Sequence, residues 1–147
     1  ALRQGRAVLD ELGVTELGYR LVADKRPTRR LGQTRYAHRE IGLSVKFVEL
    51  NDWDTVEQTV RHEAAHALVG PGHGHDQDWR AMARKCGVRA PGSRSRVANM
   101  PQGSIIMTCP KHGVIGTRSR MPKNAGFSAY RHRGCYEALV FERKVGR

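Results

Sequence analysis

The stretch His62-Glu63-Ala64-Ala65-His66-Ala67-Leu68-Val69-Gly70-Pro71-Gly72-His73-Gly74-His75-Asp76-Gln77-Asp78-Trp79 decides how the rest of the chain is read. Just upstream, Asn51-Asp52-Trp53-Asp54 is a cap cluster, and Asp54 with Glu57 fits a capping box. A helix is therefore expected over 55–69, stopped by Gly70-Pro71-Gly72. Helical residues i and i+4 share a face one turn apart, so His62 and His66 present two imidazoles to one point. Two such histidines can ligate one zinc, with His73 or His75 as the third ligand. Three histidines leave the fourth position to water, as catalysis requires. Glu63 then stands where it can take a proton from that water and pass it to a leaving amine. A purely structural site gains nothing from such a carboxylate.

On the N-terminal side, residues 3–12 read as a short amphipathic helix with Val8, Leu9 and Leu12 on one side and Gly13 as its stop. From 17 to 50 the pattern turns to β, with strands expected over 19–23, 30–38 and 41–50 and a turn at Lys25-Arg26-Pro27. In the last of these, Val45 and Phe47 alternate with Lys46 and Val48. On the C-terminal side, Asp76 or Asp78 can cap a further helix running through Trp79, Met82 and Ala83 to Gly87. Residues 88–103 mix Pro, Gly, Ser and Arg without periodicity and read as a basic linker. The tail, 104–147, is β-rich, with strands expected over 104–108, 113–117, 126–131 and 137–141. It has too few large apolar side chains to fold unaided.

A staple for that tail is present. Cys109 and His112 are three residues apart, as are His132 and Cys135, and 19 residues separate the two pairs. Two knuckles of this kind, each at a tight turn between strands, build the tetrahedral site of a zinc ribbon. Such a structural zinc contributes about 10–16 kcal/mol in small zinc peptides. Cys86 belongs to neither motif and is expected to be a small buried residue.

Charge points to a partner. Residues 1–87 carry 14 basic and 12 acidic side chains, whereas 88–147 carry 12 basic and 2 acidic ones. Nearly all of the net +12 therefore sits in the last 60 residues, and Arg outnumbers Lys 20 to 6. Guanidinium forks match phosphate, so a nucleic acid is the expected partner. Lys111, Arg118, Arg120, Lys123, Arg131 and Arg133 are the candidate phosphate contacts, interleaved with Phe127, Tyr130 and Tyr136. Exposed aromatics can stack on unpaired bases, although Phe127 and Tyr130 also suit the ribbon's own small core. An acidic protein or RNA is the competing partner for the same charge.

The segment from His62 to Trp79 resembles the SprT-like metalloprotease family, which includes the Spartan proteases. The shared features are HExxHA, a Gly-rich turn, and GH followed four residues later by Trp or Phe. A metzincin would need Gly and His where Val69 and Gly72 stand. Arg39-Glu40-Ile41-Gly42-Leu43-Ser44 and Leu50-Asn51 also look like the family. By this resemblance His62, His66 and His75 hold a catalytic zinc, Glu63 is the general base and Trp79 is the following aromatic. The implied class is α+β: a minimal zincin-like metalloprotease domain over 1–87, with a small antiparallel sheet packed on the HExxH helix, then a β-rich zinc ribbon. Resemblance to zincins further implies that the strand 41–50 lines the cleft and pairs with an extended peptide. Tyr36, His38 and Arg39 are candidates for the oxyanion donor. Many SprT-like proteins carry a four-cysteine ribbon, from which His112 and His132 depart.

The expected function is therefore a DNA-associated zinc endopeptidase of low sequence specificity, with one catalytic and one structural Zn2+. Its substrates would be proteins bound or crosslinked to DNA, at single-stranded or distorted regions, as in crosslink repair. The alternative is a non-catalytic, zinc-stabilised nucleic-acid-binding protein. No apolar run is long enough to cross a bilayer, and residues 1–13 lack the pattern of a secretory signal. An odd cysteine count beside seven histidines suits an intracellular metal-binding protein, cytoplasmic or nucleoid-associated, rather than a disulfide-stapled one.

Overall fold

The computed structural model describes residues 1–25, 30–91, 102–118, 120–122 and 130–144. The chain divides into two compact units; among the described residues one holds four α-helices and a three-stranded sheet, the other a second three-stranded sheet. The rest of the expected turn at 25–27, most of the linker, Lys123, Phe127 and the expected strand residues 126–129 lie outside the described residues.

In the first unit, α1 (Leu2–Glu11) buries Val8 and Leu9, and the chain leaves it through Gly13 at φ 71°. The strands β1 (Arg20–Asp24), β2 (Gly32–Arg35) and β3 (Glu40–Ser44) follow, in the spatial order β1-β3-β2. Arg35 is linked to β3 by a 3-10 turn, Tyr36–His38, with Arg39 at φ 48°. The remaining helices are α2 (Val45–Leu50), α3 (Trp53–Val69) and α4 (Gln77–Lys85). One core joins Leu9 of α1, Leu21 of β1, Ile41 and Leu43 of β3, Phe47 of α2, and Val56, Val60 and Ala64 of α3. The opposite face of the sheet carries Arg35, which lies over Gly42 and pairs with both Asp24 and Glu40, while Arg20 binds Glu40 at 2.8 Å.

Three expectations are corrected. The sheet is mixed, not antiparallel: β2 returns antiparallel on β3, but β1 runs parallel to it, Leu21 opposite Ile41 and Ala23 opposite Leu43. In space β3 inserts between its two predecessors. Next, the strand expected over 41–50 ends at Ser44. The Ser44 hydroxyl accepts from the Phe47 N–H at 3.3 Å, a helix N-cap, and Asn51 Nδ2 donates to the Phe47 carbonyl at 2.9 Å. Phe47 is fully buried and its neighbour Val48 also packs on the core, which a strand would place on opposite faces. Finally, the strand expected over 30–38 is only β2, because the 3-10 turn ends it.

In the second unit, β4 (Ile105–Cys109) is central, antiparallel to β5 (Gly113–Arg118) on one side and β6 (Val140–Arg143) on the other. The strand expected over 137–141 thus begins three residues later, and Arg131 makes only an isolated bridge to Ala138. Ile105, Cys109 and Phe141 are buried, and Tyr130 packs edge-on against Phe141 at 5.5 Å between ring centres.

Candidate functional site

Asp52, rather than Asp54, caps α3: its carboxylate accepts from the Thr55 N–H at 2.9 Å. Val56, Val60, Ala64 and Ala67 face the core, which turns His62 and His66 to the other side of the helix, half-buried. The helix stops at Gly70 (φ 89°), and Gly72 (φ 94°) sits in the following turn. A side chain at either position would be strained. Asp76 then caps α4 by accepting from the Trp79 N–H at 2.9 Å.

This loop brings His75 back over α3. Its Nε2 lies 3.1 Å from Nε2 of His62 and 3.2 Å from Nε2 of His66. Three ligands on a tetrahedral zinc at about 2.05 Å would stand about 3.3 Å apart, so the three nitrogens fit one such ion. Trp79, fully buried, packs against all three rings, with centroids at 4.7, 5.0 and 4.3 Å for His62, His66 and His75. His73 is held elsewhere: its Nδ1 is 2.8 Å from the Asp76 carboxylate, outside the group of three. Burial, and then the neighbouring imidazoles, push His62 down to about 4, and burial with His75 does the same for His66. Both are thus neutral at pH 7, each with a lone pair on one ring nitrogen able to ligate an ion.

Glu63 is buried beside this group. Burial lifts its carboxyl above the ordinary range, opposed by hydrogen bonding from Thr34 and by the charge of Arg30. Thr34 Oγ1 lies 2.8 Å from Glu63 Oε2 and 2.9 Å from the Glu63 carbonyl. Neither Thr34 nor Trp79's place among the imidazoles is a role the sequence pattern singled out. Thr34 is 29 residues from Glu63, and only the packing of β2 along α3 joins them. Of the three oxyanion candidates, Tyr36 reaches α3, its hydroxyl donating to the His66 carbonyl at 3.3 Å. Burial, Tyr19 and Glu63 raise its pKa. Arg39 instead binds the Leu17 carbonyl, and His38 is exposed.

The second unit gathers Cys109, His112, His132 and Cys135. Cys109 Sγ is 3.4 Å from His112 Nδ1 and 3.6 Å from Cys135 Sγ, which in turn is 3.3 Å from His132 Nδ1. Both cysteines are free thiols. Burial opposes ionisation of Cys109, but hydrogen bonds from His112, the Lys111 amide and Cys135 outweigh it and bring the thiol down to about 7. Two sulfurs and two imidazoles at these separations suit a tetrahedral ion.

The candidate phosphate contacts are divided. Lys111 pairs with Glu137 at 2.7 Å, Arg118 lies over the rings of Tyr130 and Phe141, and Arg131 donates to the Tyr136 carbonyl. Arg120 and Arg133 are exposed, and Lys123 lies outside the described residues. Tyr136 is 74% exposed at φ 59°, a conformation that costs a tyrosine energy. Cys86 is buried beside Trp79 and Ala83.

A family model, that of the SprT-like family, matches residues 7–99, more than half of the chain. Comparison with curated proteins gives no match, and neither does comparison with solved structures.

Proposed function

The chain belongs to the SprT-like family, and from that premise we propose that it is a zinc-dependent endopeptidase that acts on proteins held on DNA. The observation that carries the reading is the convergence of three imidazoles on one point beside a buried carboxylate. His62, His66 and His75 would hold the ion through their Nε2 atoms. A zinc ion held there would supply a Lewis acid for the scissile carbonyl and would lower the pKa of water.

The remaining chemistry belongs to the chain's own side chains. Glu63 accepts the proton of the attacking water at its carboxylate and returns it to the leaving amine nitrogen. Tyr36, whose hydroxyl meets the last turn of α3 at the His66 carbonyl, is the group best placed to donate to the developing oxyanion. A peptide cannot pair with β3 as the family resemblance implied, because β1 and β2 occupy both its edges. The strand that receives substrate is instead β2, whose outer edge pairs with no strand among the described residues. Backbone pairing there gives affinity with little sequence preference. In the second unit, Cys109, His112, His132 and Cys135 would hold a structural zinc, and the Arg-rich tail would hold the DNA.

Cleavage of a basic DNA-binding protein, with and without single-stranded DNA, tests the reading. Glu63→Gln should abolish cleavage while metal content, fold and DNA affinity stay at the wild-type level. Equal cleavage by wild type and Glu63→Gln would remove Glu63 from the chemistry. Tight DNA binding with no cleavage by either would favour a non-catalytic, zinc-stabilised binding protein.

A further inference from the structure

We propose that Thr34 is the positioning residue for the Glu63 carboxylate, fixing it from the open-edged strand β2; this rests on the peptidase reading above. The geometry is an alternating one. Gly32, Thr34 and Tyr36 are two residues apart and all meet α3. A Cβ at Gly32 would stand 2.8 Å from Glu63 Cγ and 3.1 Å from Oε1, so only a bare backbone lets the carboxylate lie there. Thr34 takes the other oxygen, Oε2, at 2.8 Å. Each oxygen of the carboxylate therefore has its neighbour on one face of one strand. Gln33 and Arg35 point to the opposite face, where Arg35 is committed to Asp24 and Glu40.

Two physical consequences follow. A glutamate has three rotatable side-chain bonds, and a buried carboxylate without a hydrogen-bond donor is costly, so the Thr34 hydroxyl both selects one rotamer and makes it affordable. In addition, the strand that would align the peptide also aligns the base, so a register set by backbone pairing fixes the distance between scissile carbonyl and carboxylate. The hydroxyl has one proton and two acceptors in reach, Oε2 and the Glu63 carbonyl. It donates to Oε2 while the carboxylate is charged. Once Oε2 carries the proton of the attacking water, Oε2–H can donate to Oγ1 and the Thr34 hydroxyl can turn to the carbonyl. No bond is made or broken at Thr34, and the proton stays on Glu63 until the amine takes it.

The test compares the full zinc-loaded chain with Thr34→Val, which keeps the shape and loses the hydroxyl, and Thr34→Ser, which restores it. Four quantities are read: kcat, KM, bound metal, and calorimetric affinity for a peptidyl hydroxamate, whose acidic proton needs the Glu63 carboxylate as acceptor. Thr34→Val should lower kcat by about 10–100-fold, the usual effect of losing an outer hydrogen-bond partner. KM and metal content should not change, hydroxamate affinity should fall, and Thr34→Ser should recover both losses. Wild-type kcat and hydroxamate affinity in Thr34→Val would overturn the proposal. So would a loss of activity that appears only with loss of metal or stability, which would make Thr34 structural. If the wild type cleaves nothing yet Thr34→Val still weakens hydroxamate binding, the peptidase reading fails and the positioning role survives.

Discussion

At His62 and His66 burial has already done much of the work of deprotonation. Both are held near a pKa of about 4, against an ordinary value of about 6.5. Protons and metal compete for the same lone pair, and acid favours the proton. Lowering the pKa of these two ligands moves that competition to lower pH, so metal should be retained below the range in which ordinary imidazoles take up protons. Metal retained after buffer exchange at successive pH values checks this, and release centred near pH 6.5 would contradict it. His62, Glu63 and His66 were legible because helical spacing alone places them. His73 and His75 were not separable by spacing from the helix, since both follow the same glycine turn. The Asp76 carboxylate separates them by engaging His73 and leaving His75 to the group. Thr34 carried no local signal, because its partner comes from another element.

Among the elements, α3 and α4 were readable from cap residues and glycine stops, which are local chemistry. The strand expected over 41–50 gives way at Ser44 to the same local chemistry: Ser44 is a cap, and Phe47-Val48 are adjacent core residues. Removing the cap with Ser44→Ala should cost about 1 kcal/mol of stability, read by chemical denaturation of the metal-loaded protein. An unchanged midpoint would mean that α2 is held by Phe47 alone, whose burial contributes about 1.5–3 kcal/mol. The mixed sheet was not readable, because strand order depends on which edges meet after the chain has folded back. Nothing in the composition of β1 distinguishes a parallel partner from an antiparallel one.

At the scale of the whole molecule, each of the two compact units contains, among the described residues, one group able to hold a metal ion, built from residues of that unit alone. Independent sites are therefore expected. A Cys109→Ser, Cys135→Ser double variant should lose one metal per chain and the order of β4–β6, while the histidine group stays loaded. A loss of two metals would show that the units depend on each other. Among the described residues no helix is long and apolar enough to cross a membrane.

The open side of β2 has one more consequence, for the company the protein can keep with itself. A row of unpaired backbone groups is a template for any extended chain, including another copy, and is how sheets grow into aggregates. Here the strand is four residues long, Gly-Gln-Thr-Arg, and offers no aliphatic side chain on either face. Two copies meeting edge to edge would gain a few amide bonds and bury almost nothing oily, too little to hold them. The polar composition of β2 therefore makes this one edge a poor template for self-association.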